Sequence, residues 1–140
     1  MRTSIIFIIL SFLPSLYAAV IELPRGGRMD LKSSEWNIQE TKALTGVNSL
    51  FFAHKTRKDL HGILLDGTVQ NKGQCQDGKT VVCERLVPMG DKLSYQIVGQ
   101  RFIGKDTYQN YVIAFTFPRA QEAASLPLLK KLKAQLEFTK

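Results

Sequence analysis

The chain has 140 residues, with 19 Lys and Arg against 12 Asp and Glu and a formal charge of +7. Hydrophobic residues make up 44% and charged residues 22%, with ten Gly and five Pro, which excludes a disordered or low-complexity chain. A chain of this length holds one compact domain with a buried core.

The first residues read as an export signal. Arg2 is a short positive start, Ile5 to Leu13 form an apolar run, Pro14 breaks any helix, and Ser15 to Ala19 end on small residues. That run falls well short of the roughly 20 apolar residues that span a bilayer. The sequence therefore predicts a signal peptide over 1–18, cut after Ala18 or Ala19, and a single domain over 19–140 with no transmembrane segment after cleavage. This places the protein in the periplasm or outside the cell. Losing Arg2 takes the formal charge from +7 to +6. No Cys lies near the cut, which argues against a lipid anchor.

Val20 to Leu23 predict a short strand stopped by Pro24, Gly26 and Gly27. Glu35 to Thr41 fit a half-exposed strand with Trp36 and Ile38 on one face. Leu50, Phe52 and His54 alternate, as do His61, Ile63 and Leu65. An even loop over Thr56 to Asp59 pairs Phe52 with Ile63 and Leu50 with Leu65. From Gly67 to Gly90 the pattern weakens into turn residues, Asn71, Gly73, Asp77 and Gly78 among them. Leu93 to Ile103 predict a long strand whose phase slips at Val98-Gly99, as a bulge would cause. After a turn at Gly104, Lys105 and Asp106, the strict alternation of Tyr111, Ile113, Phe115 and Phe117 predicts a strand ended by Pro118. Gln121 to Phe138 predict a helix with Ser125 as N-cap, Pro127 in its first turn, and Leu129, Leu132 and Leu136 as its apolar stripe. The predicted fold is α+β: an antiparallel sheet of about five or six strands, covered on one face by a C-terminal amphipathic helix. Phe115, Phe117, Leu129, Leu132 and Leu136 are its expected core.

Cys75 and Cys83 are the only cysteines, and in an exported protein such a pair predicts a structural disulfide. A tight turn at Asp77-Gly78 would set Cys75 opposite Thr80, so the bond is expected to close an irregular loop.

The order of Leu93 to Phe102, Tyr111 to Pro118 and Leu126 to Phe138, with Val20 to Pro24 as an opening strand, resembles the C-terminal half of MOG1/PsbP-like domains. The resemblance covers about half of the mature chain. It implies a non-enzymatic binding or accessory domain and no site residue, and it departs in the middle, where the Cys75–Cys83 loop stands.

No G-x-S-x-G turn occurs, and oxidised cysteines are not nucleophiles. His54 and His61 are the only histidines, and the even-loop register makes them neighbours to which Asp59 or Asp66 could add a metal ligand. The bland alternative, a solvated pair, is favoured, so no metal or cofactor is expected. Gly99-x4-Gly104 lacks the Lys and Ser/Thr of a phosphate-binding loop. Tyr95, Arg101, Phe102, Lys105 and Tyr108 fit core packing better than nucleic-acid contact. The sequence thus points to an exported, small, non-enzymatic binding or accessory protein of the cell envelope, its partner an unknown protein or envelope component. A small secreted hydrolase or metal-dependent enzyme is the competing class. A third reading is an envelope-surface protein held to anionic polymer or lipid by its charge, densest at Lys55, Arg57 and Lys58 and at Lys130, Lys131 and Lys133.

Overall fold

The computed structural model describes residues 19–23, 27–42, 48–77 and 79–139. The expected signal peptide over 1–18, the stops at Pro24 and Gly26, and Gly78 lie outside the described residues. In chain order the elements are β1 (Ala19–Glu22), β2 (Arg28–Leu31), β3 (Trp36–Lys42), β4 (Asn48–His54), β5 (His61–Gln70), β6 (Val82–Met89), β7 (Lys92–Gly104), β8 (Thr107–Pro118), α1 (Glu122–Gln135) and β9 (Leu136–Thr139). Strands β3-β4-β5-β8-β7-β6 form one six-stranded antiparallel sheet, and β1-β2-β9 form a second of three strands. The fold is α+β with one C-terminal helix, and it holds more strand than the five or six expected.

Alternation makes the core. Leu50 and Phe52 of β4, Leu64 of β5, Tyr95 and Ile97 of β7, and Tyr111, Ile113, Phe115 and Phe117 of β8 all point to one side. Onto that side pack Leu129 and Leu132 of α1 and, from the small sheet, Met29, Leu31, Leu136 and Phe138. The expected cluster of Phe115, Phe117, Leu129, Leu132 and Leu136 lies within this core. The second layer is therefore helix plus sheet, not helix alone.

The β4–β5 register differs by one residue from the expected one: Phe52 pairs with Gly62 and Leu50 with Leu64. The loop has an odd count, Lys55 to Asp59, because His54 organises it. Its Nδ1 accepts N–H bonds from Thr56 (3.3 Å) and Arg57 (3.0 Å), and Leu60 N–H then closes on the Arg57 carbonyl at 2.9 Å. Leu60, Gly62 and Leu64 point inward and Ile63 outward, 40% exposed. Gly62 is required there, since a Cβ would lie 2.5 Å from the Phe115 ring.

No bulge occurs at Gly99. The β7–β8 ladder runs unbroken from Lys92↔Pro118 to Phe102↔Tyr108, and the shift falls between Phe102 and Gly104. The glycine serves a close approach instead: a Cβ at 99 would sit 2.6 Å from the Phe138 ring. Val98 is buried on the opposite side, where the disulfide loop covers the sheet.

The helix ends earlier than expected, at Gln135 instead of Phe138, and its start at Glu122 lies ahead of the expected cap Ser125. A single 3-10 turn (Arg119–Gln121) leads into it, so Ser125 is not its cap but a fully buried residue whose Oγ lies 3.4 Å from Arg57 Nη2. Pro127 consequently falls inside the helix. The helix stops at Gln135 without a glycine because β2 captures the residues beyond it: Lys32 N–H bonds the Gln135 carbonyl at 2.9 Å, then Leu31 pairs Leu136 and Met29 pairs Phe138. Leu136 and Phe138 are buried by strand alternation, not by a helical stripe.

Candidate functional site

Between β1 and β3 the two sheets part and leave a cleft of about 410 Å³. Its floor is Leu31, Trp36 and Leu50, each at most 5% exposed, so it is built on the core itself. Ile21 of β1 and Ile38 of β3, both half-buried, form the facing walls. At the mouth stand Val20, Glu22 and Glu40. Strands β1 and β3 are edge strands of their sheets, so the cleft is an open seam between two strand borders. Among the described residues, neither Glu22 nor Glu40 takes part in an ion pair. Two exposed carboxylates thus rim an apolar floor in a chain of charge +7.

Trp36 is the only tryptophan of the chain, and it is held firmly. Its ring meets His54 edge-on at 4.9 Å between centroids and Phe115 at 5.4 Å. His54 accepts through Nδ1, so its ring hydrogen is on Nε2, an atom buried with no hydrogen-bond partner among the described residues. This histidine is a structural latch for the hairpin loop.

The sequence-derived pair His54 and His61 is not brought together. The odd loop puts His54 inward and His61 outward, exposed, with its ring 5.5 Å from Phe51. Asp59 faces Arg57 instead, through bonds of 3.1 and 3.0 Å, and the Arg57 hydrogen bond holds its carboxyl below the ordinary value. The side chain of Asp66 lies outside the described residues. Among the described residues no group of three His, Cys, Asp or Glu is placed to hold a metal.

Cys75 and Cys83 are joined, Cα atoms 5.8 Å apart, across an irregular loop. Two buried amides fix that loop to the sheet. Gln100 accepts Cys75 N–H at 3.1 Å and donates to the Thr80 carbonyl at 2.7 Å, while Asn110 accepts Gln74 N–H at 3.2 Å. At its tip Asp77 accepts from Thr80 and Lys79, and the Thr80 hydroxyl in particular lowers its carboxyl. A hollow of about 520 Å³ beside the loop is walled by polar side chains such as Asn71, Gln76 and Asp106, and lacks an apolar floor.

No protein-family model matches the chain. No curated protein and no solved structure matches it either.

The remaining sequence candidates scatter. Tyr95 is buried and donates to Glu84, whereas Phe102 and Tyr108 touch edge-to-face at the far end of the β7–β8 hairpin, with Phe102 52% exposed. Lys55 and Lys131 both lie at Glu35, the first through its backbone N–H and the second through its ammonium at 3.0 Å. No described helix is long and apolar enough to cross a membrane. Sequence reasoning missed the cleft because its walls come from β1 and β3, which only the unanticipated β2 and β9 place face to face. Trp36 and Ile38 on one strand face, followed by Glu40 on the same face, was the one local sign of it.

Proposed function

We propose that this is an exported, non-enzymatic binding or accessory protein of the cell envelope that works by seating an apolar part of its ligand in the seam between β1 and β3. The observation that carries this reading is the cleft: an apolar floor of buried core residues, with two carboxylates at its mouth that form no ion pair among the described residues. Its size suits a small ligand or a few side chains of a larger one. The disulfide supports an oxidising compartment, and a cut after Ala18 would leave every residue of β1 in the mature chain. The MOG1/PsbP-like resemblance points to the same accessory class.

Trp36 makes the test direct. Titration with the neutral dye N-phenyl-1-naphthylamine should give saturable energy transfer from Trp36 at one dye per chain. Ile38→Asp, its fold checked by near-ultraviolet circular dichroism, should abolish that transfer. Non-saturable transfer, unchanged by the substitution, would remove the cleft as a binding site.

A second reading rests on the convergence at Glu35 of the basic loop over 55–58 and the lysine-bearing helix. Such a surface would hold anionic polymer or lipid, and binding to anionic vesicles that fades with added salt would support it.

A further inference from the structure

We propose that His54 makes the β4–β5 loop an acid-sensitive latch: a proton arriving at Nδ1 expels the loop over 55–59 and uncouples it from α1. The latch is independent of what the cleft binds.

The closed loop accommodates one protonation state of the ring. Two backbone donors converge on Nδ1, Thr56 N–H at 3.3 Å and Arg57 N–H at 3.0 Å, and the Thr56 hydroxyl stands 3.2 Å from the same atom. Nδ1 must therefore carry a lone pair while the loop is closed. An imidazolium has a hydrogen on both nitrogens, so it would set N–H against N–H and lose both bonds. The ring is also only 6% exposed, edge-on against Trp36, so its charge would meet no water until the loop lifted. Protons thus bind the open loop in preference to the closed one. The closed loop is favoured at neutral and alkaline pH, and acid shifts the population toward opening.

The bonds that hang on this turn decide what opens. Leu60 N–H bonds the Arg57 carbonyl at 2.9 Å, and Arg57 Nη2 lies 3.0 Å from Asp59 Oδ2 and 3.4 Å from Ser125 Oγ of α1. Displacing the Arg57 amide pulls on all three, so the end of the hairpin lets go of the helix. Charged groups reach this corner from four elements. The loop brings Lys55, Arg57, Lys58 and Asp59, and the residue before β3 is Glu35, bound to Lys131 of α1. On α1, Glu122 stands one turn ahead of Ser125, and β5 contributes His61, whose ring turns outward to Phe51. Phe115 of β8 adds only an aromatic ring against Trp36. Asp59 and Glu35 are engaged by Arg57 and Lys131, so neither is free to hold an imidazolium in place.

Amide hydrogen exchange across pH reads the latch in the intact protein. Where the loop recloses faster than it exchanges, the protection of the Arg57 amide is the ratio of closed to open loop. In the parent that protection should hold steady above about pH 6.5 and fall by about tenfold for each pH unit below it. The amide of Ile113, in the middle of the large sheet, should keep its protection over the same range. His54→Asn offers an oxygen acceptor to the same turn without a titrating ring, so Arg57 should stay protected down to about pH 5. His54→Asp supplies the same acceptor and serves in its place if the Asn variant does not fold. His61→Gln should keep the slope of the parent. A flat profile in the parent would overturn the proposal, as would a slope that His61→Gln removes. An equal slope in the parent and in the His54 variant would assign it to the carboxylates both share, and would overturn the proposal too. Simultaneous loss of protection at Arg57 and Ile113 would mean global acid unfolding in place of a latch.

Discussion

Gly99 carries the Phe138 ring directly on its backbone, and this contact joins the small sheet to the large one. Gly99→Val should therefore cost about 1–3 kcal/mol in denaturant unfolding, because neither ring nor strand can retreat without opening the core. The partner of Tyr95 makes a different kind of test. Burial, and then the hydrogen bond to Glu84, push its phenol above the ordinary value of 10.0. An unfolded chain ionises the phenol first, so the stability it contributes is fully present below about pH 10 and is lost as pH rises further. Comparing denaturation midpoints at about pH 8 and about pH 11 should show a smaller alkaline loss in Tyr95→Phe than in the parent. An equal loss in both would mean the phenol is as free to ionise folded as unfolded.

At the level of elements, α1 and the disulfide loop stabilise by separate means. Leu132 is fully buried between helix and sheet, and Leu132→Ala should cost about 2–5 kcal/mol by calorimetry or denaturant. A loss under about 0.5 kcal/mol would show the helix packing elsewhere. Replacing both Cys75 and Cys83 by Ala should cost about 2.5 kcal/mol through the unfolded chain, yet Gln100 and Asn110 should keep the loop in place. Slow hydrogen exchange at Cys75 N–H, retained in the double variant, would show this. Much of this architecture was legible in the sequence, since β3, β4 and β8 and the first half of β7, Leu93 to Ile97, turn apolar residues to the core at alternate positions and such periodicity is local. The hidden part depends on partners. The five residues between His54 and Leu60 arise from a side-chain acceptor, not from hydrophobic phase. Gly62 and Gly99 mark aromatic rings that arrive from other strands, and 136–139 leave the helix because β2 captures them. The cleft was illegible for the same reason, since its two borders come from different sheets.

For the whole molecule, the first described strand starts at Ala19, which pairs with Leu31. If the chain is exported as proposed, its mature form should by intact mass begin at Ala19 or Val20, and retention of residues 1–18 would overturn the cleaved signal peptide. The two basic clusters are partly offset by Asp59 and Glu35, so vesicle binding at low salt should be modest even if it occurs.

Strand β2 lies between β1 and β9, so residues near the beginning of the chain are sealed by its last few. Met29 and Leu31 have no cover on the β9 side until Leu136 to Thr139 exist. If the chain is exported as proposed, threading N-terminus first through a translocation pore would leave its core incomplete until β9 had emerged. In that case the topology would delay folding until β9 is available, keeping the chain in the unfolded state that a pore requires, with slow, long-range closure as the consequence. A chain ending at Gln135 should show no cooperative unfolding transition, and a sharp transition at the parent's midpoint would show that β9 is dispensable to the fold.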